Sequence, residues 1–408
     1  MCTSVGRIRV TAQLIDAVTD THLWSHKFDR ELGDVLSIQD DIATEVANRL
    51  QLTMMDTAPR LVELDQENYT LFLQARSLKN LGTAESTREA IAFFQRVVAA
   101  EPKHAPSWYH LSVLHLDQVI HGWTHIDESL RLARHTATEA ISADADYAPG
   151  HIALAATMLV DPEADDQGTA FQQIVNLVLQ ALAINSGNAD NIRMATIVSI
   201  TLGRLEDAMV LARYANTLDP INANAAIQMA IIYNYAQRWS EAEASARRAL
   251  ELSSNISEGS MELGIALLNQ GQIETALIAF EQETNPALKL KGTAIAYSAL
   301  DRPAKFELAL SRLKADFGKS NPAAIAQVYT SVGDNDAAFA WLDRAADSGY
   351  FSTRWLFQDS LLHNLHSDSR WGLFLAKTGT NPERLANFEF EPLPYLQTSF
   401  SVESPYSK

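Results

Sequence analysis

His121 and His125 stand four residues apart, a spacing that on a helix would align two imidazoles as half of a metal site. They belong to a denser group that also holds His104, His110, His115 and His135. Gly122 and Trp123 between the pair read as loop, and no carboxylate stands at a third ligand's spacing, so solvation or packing is the better-supported role. Cys2 is the single cysteine, which excludes an internal disulfide and a multi-cysteine zinc site. At a terminus expected to be disordered it has no oriented base to make it a nucleophile. A glycine-rich phosphate loop, a nucleophile elbow and a zinc-protease His-Glu pair are all missing from the sequence. The sequence therefore assigns no catalytic residue, no cofactor and no metal, and it points to binding.

The residues best placed to bind lie on a repeat. Ala208, Ala242 and Ala276 recur at intervals of about 34 residues. Ala212, Ala246 and Phe280 follow four residues later, while Ser199, Tyr233 and Leu267, then Gly203, Gln237 and Gly271, precede at matching offsets. Small residues followed by larger ones at this spacing suit two antiparallel helices that cross closely. The repeat resembles the tetratricopeptide array, and the resemblance implies that first-helix residues pointing away from the second helix line a groove. Arg193, Ile197, Asn224, Ile227, Asn234, Met261 and Ile265 are the candidates for it, with Asp190, Ile200, Ile231, Glu258 and Leu268 beside them. Asparagine amides both donate and accept, so they suit an extended peptide backbone. The alternative is that the isoleucines pack under a neighbouring unit. Trp24, Trp108, Trp239, Trp341, Trp355 and Trp371 are read as core rather than as a carbohydrate or base platform.

Composition narrows the partner. The chain has 408 residues, 47% apolar and 20% charged, as in folded proteins. Its 32 basic and 50 acidic residues leave a formal charge of −18, which repels nucleic acid and anionic membranes. No run approaches a membrane-spanning length, and the first ten residues lack the pattern of an export signal. Taken as it stands, the chain is expected in the cytoplasm.

Before the repeats, Ile8, Val10, Ala12 and Leu14 alternate as on a half-buried strand, Val18 to Thr21 reads as a turn, and Trp24, His26 and Phe28 alternate again. An antiparallel hairpin is expected, then a helix carrying Ile38, Ile42, Val46 and Leu50. That is too little to bury a core alone. The runs Arg9 to Ala17, His22 to Ser25, Phe28 to Leu32 and Ile38 to Ala43 resemble the last part of a TolB-like amino-terminal domain. The resemblance implies that residues 1–56 are a remnant of that α/β domain. In that family it lies between an output module, a class III adenylate cyclase or a winged-helix DNA-binding domain, and a downstream tetratricopeptide array. Members with a membrane-spanning helix carry this part outside the cytoplasmic membrane, making a periplasmic location the second expectation. The first strands of that domain and any output module are missing here, which suggests a start inside a longer protein. Self-association through the remnant is a further expectation.

Residues 57–350 resemble the tetratricopeptide repeat, with about eight units of which 189–286 are the most regular. Thr57 to Pro59 forms the connector, Gln118 to Asp127 and Asp161 to Gln167 lengthen the second and third units, and Tyr297, Phe306 and Leu310 mark a degenerate seventh. The implied fold is all-α, a right-handed superhelical solenoid. The implied work is non-catalytic binding of a protein or extended peptide in the concave groove, as the sensory or regulatory part of a signalling protein. The alternative is the C-terminal part of an adenylate cyclase or of a membrane-integrated winged-helix regulator. Family members that clamp a terminal carboxylate carry several basic residues in the groove, whereas Arg193 is the single basic residue among the candidates. Residues 351–387, with Trp355, Leu361, Leu365, Trp371 and Phe374, are expected to cap the last unit, and Ser367 to Trp371 resembles the family's habitual ending. Residues 388–408, with Pro392, Pro394 and Pro405, are expected to form a flexible tail.

Overall fold

A computed structural model of the chain describes residues 2–4, 7–16, 21–31, 64–79, 81, 83–120, 123–161, 169–347 and 351–396. The expected helix over Ile38 to Leu50, the connector at Thr57 to Pro59, and His121 lie outside the described residues.

The hairpin gains a third strand. β1 (Cys2–Ser4), β2 (Arg7–Asp16) and β3 (Thr21–Glu31) form one antiparallel sheet in chain order, so Cys2 sits on a strand. The residues read as alternating fall opposite one another: Val10 with Phe28, Ala12 with His26 and Leu14 with Trp24, before a bulge at Leu14/Ile15.

Sixteen helices follow among the described residues, in eight antiparallel pairs. Units 1 to 3 are α1 (Gln66–Lys79) and α2 (Ala84–Ala100), α3 (Ala105–Ile120) and α4 (Ile126–Ala143), α5 (Ala148–Val160) and α6 (Thr169–Ile184). Units 4 to 6 are α7 (Ala189–Thr201) and α8 (Leu205–Leu218), α9 (Ala223–Tyr235) and α10 (Trp239–Leu252), α11 (Gly259–Asn269) and α12 (Ile273–Gln282). Units 7 and 8 are α13 (Pro286–Ala299) and α14 (Pro303–Phe317), α15 (Pro322–Ser331) and α16 (Asn335–Asp347). The lengthening expected from Gln118 is in part more helix, since α3 continues to Ile120.

Local chemistry sets these boundaries. Asn188, Asn222, Asn285 and Asn321 cap α7, α9, α13 and α15 by accepting backbone N–H groups of the first turn. Prolines open α13, α14 and α15, where no intrahelical donor is lost. The turn inside each of the last five units needs one residue in the left-handed region: Gly203 (φ 75°), Gln237 (58°), Gly271 (78°), Asp301 (52°) and Gly333 (76°). That requirement is the physical content of the offset shared by Gly203, Gln237 and Gly271. Ala208, Ala242, Ala276 and Ala338 are fully buried where the paired helices cross, and side-chain atoms beyond Cβ would push the pair apart.

Two further segments complete the fold. Phe351–Gln358 and Ser360–Leu365 are consecutive 3₁₀ helices. α17 (Arg370–Thr378), α18 (Pro382–Leu385) and a last 3₁₀ turn, Leu393–Tyr395, end the described chain. α17 packs on α16 of unit 8. Arg370 forks onto the Asp368 carboxylate, reaches Asp336 at 2.7 Å and lies 4.4 Å over the Phe339 ring, while Trp371 stacks on His366 at 4.5 Å.

Candidate functional site

Successive first helices touch one another, α3 with α5, α5 with α7, α9 with α11, α11 with α13 and α13 with α15. They form a continuous wall on which residues 351–366 lie like a strap. The strap joins distant units: Gln358 donates from Nε2 to the Ile200 carbonyl at the end of α7, and its neighbour Asp359 accepts from Gln327 Nε2 on α15. Packed helices stand about 8–10 Å apart, so five of them in a flat row would hold α7 and α15 roughly 35–40 Å from each other. Two adjacent residues, with Cα atoms about 3.8 Å apart, span no such gap. The wall is therefore concave, and units 4 to 8 curl around the strap.

Apolar anchors hold the strap along the same wall. Trp355 packs against the buried cluster that holds Ile200 and Tyr233, as do Tyr235 and Ala236, and its Nε1–H donates to Thr201 Oγ1 at 2.9 Å. Leu361 joins the clusters holding Leu268 and Tyr297, on α11 and α13. Leu356, Leu362 and Leu365 are buried with Ala326, Phe339 and Trp371. Phe357 closes on the Gly203 turn, where an added Cβ would stand 3.3 Å from its ring.

The chain then returns to units 3 and 4. Phe390, 1% exposed, enters the core of α5 to α8, and Phe388 meets the edge of Phe171 at 4.9 Å. Arg204 donates to the carbonyl oxygens of Phe388 at 2.6 Å and Phe390 at 2.5 Å. Phe388 to Leu396 is thus packed onto the array, which differs from the mobile tail expected there. Extended backbone suits proline and can still bury an aromatic every second residue. The 351–387 segment, too, does more than cover unit 8, since its first sixteen residues lie on the inner wall.

Charge is buried against the strap. Glu262 on α11 is half-buried in the wall, and burial moves its carboxyl up to about 8, against the opposing effect of the Asn234 amide and with the help of Glu258. Asn234 Nδ2 donates to the Glu262 carboxyl group at 2.7 Å and to its carbonyl at 3.0 Å. Burial, then Asp359 and Glu262, push the Tyr235 phenol well above its usual range. The wall of units 1 to 4 carries a second polar set. The Tyr109 and Tyr147 rings meet edge-on at 6.1 Å. Burial raises the Tyr109 hydroxyl to about 12, with Asp190, Arg193 and Asp117 close enough to act on it, and lowers Lys79, on which Asp117, Asp190 and Arg76 act.

The groove candidates divide. Ile227, Met261 and Ile265 are buried in apolar clusters between units, which is the packing alternative. Asn234 is buried and spent on Glu262. Arg193 is half-buried and pairs with Asp190 at 3.5 Å, Ile197 is half-buried beside the core of units 3 and 4, and Asn224 is exposed. Ile200 and Leu268, flanking those candidates, do meet the strap. Sequence reasoning missed Thr201, Tyr235, Gln327 and Asp359. Their signal is absent locally, because each matters through a residue at least 32 positions away or on another unit. Three of the histidines are packed: His104 bonds Ser107 at 2.8 Å, His115 bonds Gln118 at 3.1 Å, and His110 stacks on Phe94 at 5.1 Å, while His125 and His135 are exposed. Among the described residues no three metal-ligating side chains converge.

Helix pairs at a 34-residue interval, small residues at their crossings, a left-handed turn inside each regular unit and a concave wall of first helices decide the architecture. The array is a tetratricopeptide-type solenoid. No family model matches the chain. Over 157 residues, 37% of this chain, it is 32% identical to a protein of Rhizobium meliloti (strain 1021) that carries the name of an adenylate cyclase, number 3. The match spans 27% of that protein's length. Among solved structures, a tetratricopeptide repeat protein from Parabacteroides merdae is similar over 67% of this chain and 99% of its own, at 12% identity and a TM-score of 0.44. Yeast Tom70 is similar over 85% of this chain and 77% of its own, at 14% and 0.44. PilF of Pseudomonas aeruginosa is similar over 52% and 90%, at 16% and 0.42. At such identities and TM-scores these likenesses add nothing to what the helix pairs themselves establish. Among the described residues, no helix is long and apolar enough to cross a membrane.

Proposed function

We propose that this chain is a non-catalytic interaction scaffold that binds a protein segment along its concave wall of first helices. The observation that carries the reading is the wall itself: it already holds sixteen residues of mostly 3₁₀ chain by apolar anchors and side-chain hydrogen bonds, the way repeat solenoids hold peptides. Tyr109, Tyr147, Arg193 and Asn224 are the accessible or half-buried wall residues that would meet a partner on units 2 to 5. To test it, random dodecapeptides displayed on phage are selected against the whole chain. Binding of the selected peptides is expected to weaken tenfold or more in Arg193→Ala and Tyr109→Ala, and to persist in Ile278→Asp on the outer helix α12. Peptides that respond to Ile278→Asp and ignore the wall would overturn the reading, as would nucleotide cyclase turnover by this chain.

A second reading is favoured by the Rhizobium match: the array serves as the regulatory part of an adenylate cyclase, with residues 1–56 the end of a TolB-like domain joining the two. The genomic sequence upstream of Met1 tests it. An in-frame cyclase domain supports the reading, and a stop codon with a ribosome site directly before Met1 removes it.

A further inference from the structure

Residues 351–366 leave unit 8 and return to it. Before them α16 ends at Asp347, and after them α17 is bound to unit 8 by the Arg370–Asp336 pair and by Lys377 at 2.8 Å from Asp347. Between those fixed points the chain crosses the cavity of the curl, touches α7 at its far side and comes back to α15. It belongs to no helix pair. Two 3₁₀ stretches of 8 and 6 residues are long for that conformation, whose internal hydrogen bonds are poor, so the wall and not the segment's own propensity dictates its shape. Its polar contacts fall on groups at helix ends and on wall side chains: the Ile200 carbonyl, Thr201 Oγ1 and the Gln327 amide. Its anchors spread along the wall: Trp355 and Phe357 both meet unit 4, at Thr201 and at the Gly203 turn, and Leu361 lies by α11 and α13. Each of these is a property of a peptide seated in a groove.

We propose that the inner wall of units 4 to 8 is a binding site for segments bearing tryptophan and leucine at this spacing, and that residues 351–366 occupy it until a partner segment of the same chemistry displaces them. The proposal rests on the scaffold reading above. Tethering at both ends gives the resident segment a high effective concentration, so a free competitor meets a nearly closed site in the resting chain. The resident segment therefore sets a threshold, and only a partner that matches its anchors and is itself held nearby gains entry.

The test uses the full chain and a fluorescent synthetic peptide copying Phe351 to His366. Peptide-level hydrogen exchange on the unaltered protein is expected to show 351–366 exchanging at least tenfold faster than α9 and α11, because the segment opens without the array. In the full-length Trp355→Ala/Leu361→Ala chain the labelled peptide is expected to bind at least tenfold tighter than to the unaltered chain, and a peptide lacking the tryptophan is expected not to bind. Circular dichroism checks that the variant keeps its helices; should it unfold, the exchange measurement on the unaltered protein stands alone. Exchange of 351–366 in step with α9 and α11, or equal peptide binding to both chains, would show a fixed structural brace and overturn the proposal. Should that overturning result be found while phage-selected peptides still depended on Arg193 and Tyr109, the resident-segment site would fall and the scaffold reading would stand.

Discussion

A single backbone angle explains the most regular feature of the sequence. The position occupied by Gly203, Gln237 and Gly271 has φ between 58° and 78°, where a side chain costs about 1–2 kcal/mol. Gln237→Gly relieves that strain but frees the unfolded chain by about 0.4–1 kcal/mol, so a net gain of up to about 1 kcal/mol is expected in thermal unfolding. Gly271→Ala is expected to lose a similar amount. Phe280 is held between two glycines: a Cβ at Gly264 or Gly292 would lie 2.2 or 2.3 Å from its ring. Gly264→Ala should therefore cost about 1–3 kcal/mol through overpacking, read as a lower urea midpoint. Glu283 stands where the two preceding units have Ala215 and Ala249, and Ile256 stands where they have the capping Asn188 and Asn222. The two departures compensate, because the buried Glu283 carboxylate accepts the Met261 N–H of α11 at 3.0 Å. Glu283→Ala is expected to cost about 1–3 kcal/mol, although alanine is the residue the repeat calls for. The small-residue register was legible because it is local and periodic; this exchange of caps was not, since it joins two off-pattern residues across a helix pair.

Titration at the residue scale gives the stability curve a shape. Glu262 has a folded value of about 8, above its ordinary 4.5, so its contribution is complete below about 4.5 and lost as pH rises through 8. Burial lowers His104 to about 4 and His110 to about 3 from 6.5, so what they contribute is present above 6.5 and lost as pH falls through those values. Urea midpoints are expected to be highest between pH 5 and 7, with Glu262→Gln flattening the alkaline limb. An unchanged alkaline limb in that variant would contradict the assignment.

Among the elements, the helix pairs were readable and the strap was not. Eight pairs follow from a small-large pattern that recurs within a few turns of helix. Trp355, Leu356 and Phe357 advertise burial but carry no period, so nothing local tells which surface they cover. Two of the groove candidates, Met261 and Ile265, are buried for a related reason: they share a face that serves both the groove and the next unit, and packing took it. The end of the chain shows how a charge can hold an irregular element. Arg204→Ala removes two charge-assisted hydrogen bonds, at about 1.5–3 kcal/mol each, from the carbonyls of Phe388 and Phe390. Brief chymotrypsin treatment should then cut at Phe388 or Phe390 while the helices α1 to α16 stay protected. Cleavage no faster than in the unaltered chain would mean that the Phe390 pocket alone suffices.

At the scale of the molecule, an acidic solenoid curls until units 4 and 8 are bridged by neighbouring residues of one segment, while the wall of units 1 to 3 lies beyond that bridge. Solenoid stability is a sum over adjacent units, so a tie across five of them stiffens the curl and leaves the first units freer to adapt. That difference suits a scaffold with a preset half and a receptive half. The most direct test is hydrogen exchange of the full chain with and without a phage-selected peptide. New protection on the first helices, from α1 and α3 through α9, is the expected result. Protection confined to the second helices, α2 through α16, would contradict the claim that the concave wall is the binding surface.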